Sequence, residues 1–196
     1  MTGPASAMAQ PALRVATADD QESIDALMKA STRALFPAWY SAQQTESSVI
    51  HIAHVDPTLI EDGTYFVIDG VDGIVACGGW SRRDKLFSGS IDQEGRARPL
   101  DPASEPARVR AMFVRGDWTR RGLGTRILEA CEAAAREAGF VELTLMATLP
   151  GVPLYARFGF REVSRAPISL PDGVLLEGVA MEKEIGPARQ KPTARP

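Results

Sequence analysis

The chain has 196 residues, of which 44% are hydrophobic and 24% charged, with a formal net charge of -3 and a pI near 5.5. That size and composition fit one globular domain with a sizeable core. The basic excess that nucleic-acid binding needs is missing, and no run is apolar and long enough to cross a bilayer, so neither partner is expected. The first ten residues have neither a basic n-region nor an apolar h-region, so the sequence predicts no signal peptide and a cytoplasmic protein. Cys77 and Cys131 sit in apolar-patterned segments and read as small buried residues, not as a disulfide.

Residues 1–11, small and Pro-containing, and 187–196, with several Pro and scattered Arg and Lys, are expected to be loose segments flanking a single domain over 12–186. Within that domain, 13–16 reads as a strand. Asp19 or Asp20 then caps a helix with Ile24, Leu27, Met28 and Leu35 along one face, ended by Pro37. A second helix is expected over 41–54, stopping before Pro57. Strands at 64–69 and 74–80 flank a turn at 70–73, and a polar, Gly- and Pro-rich excursion covers 82–106. A strand at 109–114 follows it, then a turn and a helix with Leu123, Ile127, Leu128, Cys131, Ala134, Ala135 and Ala138 on one face. Gly139 ends that helix, and Val141, Leu143 and Leu145 alternate as the next strand. A short helix at 152–158, a strand from 160 and a closing strand at 174–185 complete the chain. The βαβ unit over 109–146 and the mixture around it predict an α/β or α+β sheet with helices on both faces. The 174–185 strand is also a candidate edge for pairing into a homodimer.

The most informative stretch runs from Met112 to Thr125, where an apolar strand breaks into a basic, glycine-containing turn that opens a helix. A helix first turn ordinarily carries Asp or Glu, because the helix dipole is positive there. Here Arg120, Arg121 and Arg126 surround the start, while Gly122 and Gly124 clear side chains from the main chain. Such a mouth suits an anion, although an ordinary basic reversal has the same spacing. It is neither a P-loop, which needs Gly-Lys-Ser/Thr, nor a dinucleotide fingerprint, since Ile127 stands at the third small position.

With these elements in place, the chain resembles the GNAT superfamily of N-acetyltransferases. The stretch 114–124 is similar to that superfamily's pyrophosphate motif, Gln/Arg-x-x-Gly-x-Gly/Ala after a strand, and Leu154-Tyr155-Ala156-Arg157-Phe158-Gly159-Phe160 matches its Tyr-x-x-x-Gly-Phe signature. The resemblance is close over 109–163 and follows element order over 13–185. It departs at Thr119, where Gln or Arg is usual, at Gly116, where Pro is common, and at Thr148, where many members have Asn.

The resemblance implies a GNAT-like, mostly antiparallel sheet with splayed central strands, and acetyl-CoA as the donor to a primary amine. It implies that the main chain of Phe113 and Val114 holds the pantetheine and acetyl group. It further implies that the amides of Arg120, Arg121, Gly122, Leu123, Gly124 and Thr125 cradle the pyrophosphate, with Thr119 and Thr148 beside the cofactor, and that Tyr155 protonates the departing thiolate. A tyrosine's ordinary pKa of about 10 lies above the ~8.5 of a thiol. Read without the resemblance, Tyr155 is equally a core aromatic.

For the base that deprotonates the amine, Glu105 and Glu142 are the candidates, with Asp84 behind them. His51 and His54 share a helix face, but a third ligand is lacking beyond nearby Asp56, so no metal is expected. Trp80 after Gly78-Gly79, with Phe36, Trp39 and Tyr40, could wall an acceptor pocket; bulge and core packing is the competing reading. A sensor or interaction module that binds acyl-CoA without turnover is the alternative function.

Overall fold

In the computed structural model, which describes residues 11–84 and 98–186, the chain runs β1 (Ala12–Val15), α1 (Gln21–Leu35), α2 (Ala42–His51), α3 (Pro57–Glu61), β2 (Tyr65–Gly70), β3 (Gly73–Ser81) and β4 (Ala107–Val114). It continues with α4 (Leu123–Glu137), β5 (Glu142–Thr148), α5 (Val152–Arg157), β6 (Arg161–Ser169) and β7 (Leu175–Glu184). The two terminal segments expected to be loose and the middle of the 82–106 excursion lie outside the described residues, apart from Pro11.

The expected elements form, with three differences in the helices. Asp20 stands at the start of α1, but its side chain makes no cap bond there; it accepts from the Thr17 amide at 2.8 Å and pairs with Arg14. Ser41 caps α2 through a reciprocal pair with Gln44: the Gln44 amide donates to Ser41 Oγ at 3.2 Å and the Ser41 amide to Gln44 Oε1 at 2.9 Å. α2 stops at His51, short of the expected end. Pro57, read as a stop, instead starts α3 from its first turn, with Asp56 as the cap accepting from the Thr58 amide at 3.1 Å. The sheet order is β1-β2-β3-β4-β5-β7-β6. The closing strand β7 is therefore interior, paired with β5 on one side and β6 on the other, and offers no free edge for a homodimer.

The strand period divides the core in two. β2 sends Phe66 and Ile68 toward α4, where Leu123, Ile127, Leu128, Cys131 and Ala135 meet them. Tyr65 and Val67 point the other way, onto Ile24, Leu27 and Met28 of α1 and Leu59 of α3. All strand pairs are antiparallel except β4 with β5. That parallel pair holds only at Ala107–Leu143 and Arg108–Thr144. Beyond it the two strands part, and the gap opens toward the start of α4.

Candidate active site

The gap is shaped by an irregularity in β4. Opposite β3, Cys77 pairs with Phe113 and Gly79 with Arg110, so Ala111 and Met112 together face the single residue Gly78. Ala111 takes φ of 53°, a left-handed conformation that costs an L-residue about 1–2 kcal/mol. Two features hold the bulge. Tyr65 Oη donates to the Ala111 carbonyl at 2.7 Å. Gly78 leaves room for Met112, whose Sδ lies 2.2 Å from where a Cβ would be built. The glycines before Trp80 thus serve the bulge and strand packing: a Cβ on Gly79 would meet Thr64 O at 2.5 Å.

Past the bulge, the Arg115 amide donates to Val75 O of β3 at 2.9 Å. Alternation along an extended strand then turns the peptide groups of Val114 toward β5 and those of Phe113 back toward β3. Of the two residues expected to offer main-chain groups, only Val114 presents them to the gap, while Phe113 contributes wall. The Val114 carbonyl accepts from Ser31 Oγ at 2.8 Å, which leaves its N–H as the group on offer.

The basic turn ends in two left-handed residues, Arg120 at φ 64° and Gly122 at φ 79°, and Gly122 begins α4 without a side-chain cap. Among the described residues, the N–H groups of Arg120 through Thr125 meet no acceptor, and the first helical hydrogen bond runs from Arg126 N to Gly122 O at 3.1 Å. No acidic residue sits in that first turn. Successive free donors at a left-handed turn, added to the helix dipole, make an anion cradle. Thr119 closes the turn by donating its hydroxyl to Gly116 O at 2.9 Å. The Arg121 guanidinium stacks 4.6 Å above the Trp118 ring centroid and donates to Asp117 O, so this side chain braces the turn from outside, whereas Arg120 lines the gap.

A cavity of about 480 Å³ fills the gap. It brings together Phe113, Val114, Thr119, Arg120, Gly122, Leu123, Gly124, Thr125, Thr148 and Tyr155 of the expected site. Tyr155 is fixed by Phe160, edge-on at 5.9 Å, and by Gly151, where a Cβ would come 2.7 Å from the Tyr155 ring. Burial pushes the Tyr155 hydroxyl above the usual tyrosine range, with Cys131 adding to the effect, so it stays protonated at neutral pH.

Both candidate bases lie elsewhere. Glu105 precedes β4 at the end where β4 and β5 are still paired, accepts from Arg98 Nη1 at 2.8 Å and from the Asp101 amide at 2.9 Å, and is held at about 2 chiefly by Arg98. Glu142 starts β5 opposite Glu184, and burial with Glu182 and Glu184 raises its pKa. Neither lines the cavity, because Glu105 just before β4 and Glu142 at the start of β5 both lie at the closed end of the gap. Asp84 sits with them, 3.5 Å from Arg108.

The aromatic wall is corrected in part. Phe36 does line the cavity. Trp80 is buried against Phe140, edge-on at 5.9 Å, and Trp39 is half exposed, away from the gap. Tyr40 is buried behind Phe36 and bridges the backbone: its hydroxyl donates to Glu177 O at 2.7 Å and accepts from Leu149 N at 2.8 Å. His51 lies 3.5 Å from the Asp172 carboxylate, and no metal-binding cluster occurs among the described residues. No described helix is long and apolar enough to cross a membrane.

Sequence reasoning missed Ser31, Arg110, Trp118, Ile52 and Ile168, which also line the cavity. Arg110 carried a signal, being a charge inside an apolar strand. It is buried and paired with Asp56 at 3.2 Å.

Comparison with known proteins agrees with this geometry. Residues 61–162, just over half of the chain, match the family model for the Acetyltransferase (GNAT) domain. A search of curated proteins found no match. Among solved structures, a GCN5-related N-acetyltransferase from Rhodopseudomonas palustris is similar over 92% of this chain and 99% of that one, with a TM-score of 0.68 and 22% identity. PaiA N-acetyltransferase from Thermoplasma acidophilum, solved in complex with coenzyme A, is similar over 89% of this chain and 99% of that one, with a TM-score of 0.61 and 13% identity. YncA from Salmonella typhimurium, solved with its cofactor acetyl-CoA, covers 94% and 99%, with a TM-score of 0.59 and 13% identity. At these identities the structural likeness speaks for the fold, and the family match carries the assignment: the chain belongs to the GNAT family of acetyl-CoA-dependent acetyltransferases.

Proposed function

We propose that this protein moves the acetyl group of acetyl-CoA directly to a primary amine, with the residues of the β4–β5 gap in the following roles. The free amides from Arg120 to Thr125 hold the pyrophosphate, with Arg120 adding charge. The Val114 N–H holds the pantetheine arm, so the thioester lies between the parted strands, beside Thr148. The observation that carries this reading is the set of donors at the mouth of α4 that meet no acceptor and open onto the same cavity as Tyr155.

The amine nitrogen attacks the thioester carbon. A carbon–nitrogen bond forms, the carbon–sulfur bond breaks, and its electron pair leaves on sulfur. Tyr155 supplies the proton that sulfur needs. A phenol is a weaker acid than a thiol, and burial makes this one weaker still, so its proton moves as the bond breaks and the amine's own N–H proton replaces it. Holding both reactants in one enclosed gap supplies much of the rate. We place the reaction in the cytoplasm, since the buried Cys77 and Cys131 are both free thiols and fit a reducing compartment.

Calorimetry tests the donor half: acetyl-CoA should bind one site per chain. Release of free CoA thiol across an amine panel tests the transfer. Binding of acetyl-CoA with no release on any amine would overturn the catalytic half.

A further inference from the structure

The acceptor side of the cavity has a definite chemistry. Phe36, Ile52, Met146 and Ile168 line it, and all four belong to one apolar cluster whose open face is the cavity wall. Gly178 of β7 packs this wall tightly, since a Cβ there would sit 2.7 Å from Ile168 Cδ1 and 3.0 Å from Met146 Sδ. Among the described residues, the ionisable side chains lining the cavity are Tyr155 and three arginines, Arg110, Arg120 and Arg157. Arg110 enters the wall from β4 with Asp56 paired to it. An alkylammonium entering this space would lose its hydration against apolar side chains, and among the described residues no carboxylate lines the cavity to take its place.

Resting on the acetyl-CoA reading above, we propose that the acceptor is an apolar aromatic amine that enters uncharged and packs its ring against Phe36, Ile52, Met146 and Ile168. Its ring delocalises the nitrogen lone pair, so its conjugate acid is far stronger than an alkylammonium, whose pKa is about 10. The proton count then closes within the cavity. A neutral amine carries one N–H proton to lose, and the departing sulfur takes up one. Tyr155 passes the proton between them. An alkylammonium carries one proton more and needs a base to remove it first. The location of Glu105 and Glu142 away from the cavity fits an acceptor that needs no such step.

The experiment compares 4-methylaniline, benzylamine, 1,4-diaminobutane and L-phenylalanine as acceptors, reading thiol release from pH 6 to 9, after calorimetry has measured acetyl-CoA binding. At pH 7, kcat/KM for 4-methylaniline should exceed that for each of the others by at least about tenfold. It should vary little with pH, whereas benzylamine should gain about tenfold per pH unit as its free-base fraction grows. Ile168→Asp should shift preference toward the diamine while acetyl-CoA affinity stays within about twofold. The inference is overturned if the diamine or the amino acid is the best acceptor at pH 7, or if benzylamine turnover is flat with pH. Failure of acetyl-CoA to bind would instead defeat the donor reading, so the two failures are distinguishable.

Discussion

Tyr65 and Ala111 are joined by a hydrogen bond of 2.7 Å across the sheet, from a fully buried phenol to the carbonyl of the one left-handed residue in β4. The bond stands at the point where β4 turns its peptide groups away from β3 and toward the gap. Tyr65→Phe removes the donor and leaves a buried carbonyl unpaired, which should cost about 1–3 kcal/mol of stability. Thermal unfolding measures that loss, and calorimetry should show weaker acetyl-CoA binding as the strand relaxes from its bulge. A variant as stable as the parent would mean that the Gly78–Met112 packing holds the bulge alone.

At the mouth of α4, Gly124 is buried and faces Leu154, with Leu154 Cδ2 2.8 Å from where a Cβ would be. Gly124→Glu adds bulk that must displace Leu154 and a negative charge where a diphosphate should sit. Acetyl-CoA affinity should fall at least about a hundredfold, more than the tenfold that 1.4 kcal/mol produces. Far-UV circular dichroism should show the helix intact, because Glu suits a helix first turn.

How much of this was legible in the sequence depends on the range of the interaction concerned. The stripe from Leu123 to Ala135 and the strands around it follow local periodicity, and the basic turn follows local residue type, so the βαβ unit and its cradle were readable. The bulge was not, because Ala111 has no feature that marks a left-handed residue; it is imposed by Tyr65 and Gly78 from neighbouring strands. Glu105 and Glu142 were sensible candidates by their nearness to the site strands, yet which end of a strand meets the gap depends on where β4 and β5 stop pairing, and that is a long-range fact. Pro57 misled because a proline that ends one helix and one that begins the next look alike unless the Asp56 cap is weighed.

Tyr155→Phe keeps the ring packed on Phe160 and Gly151 and removes only the hydroxyl. The kcat for acetyl transfer should fall by about 10²-fold or more, while acetyl-CoA affinity stays nearly constant. An unchanged kcat in steady-state thiol release would return Tyr155 to the role of a core aromatic.

Acid should destabilise the fold through half-buried carboxylates held by arginine. Arg83 hydrogen-bonds Asp62 and Arg14 hydrogen-bonds Asp20, and in each case that bond is the main cause of a pKa below the usual carboxylate range. A carboxyl with a lower pKa folded than unfolded contributes stability above its unfolded pKa of about 4 and loses it as pH falls further. The unfolding midpoint should therefore be steady from pH 7 to 5 and drop below about pH 4. Asp62→Asn should lower stability at pH 7 and flatten that drop.

Tyr40 links the two sides of the site, and its loss should separate assembly from chemistry. Its hydroxyl receives the amide of Leu149, one residue after Thr148, and gives its own proton to Glu177 O of β7. The segment so tethered leads through Gly151 into α5 and Tyr155, while the ring of Tyr40 backs Phe36 at 5.3 Å. Tyr40→Phe leaves one donor and one acceptor unpaired, at a cost of about 1–3 kcal/mol each before relaxation or entering water reduces it. Because the tether ends at Leu149 rather than at the cradle, acetyl-CoA affinity should change less than threefold while kcat falls and acceptor KM rises together. A loss of acetyl-CoA binding as large as the loss in kcat would show that the tether supports the whole cavity and not the acceptor side alone.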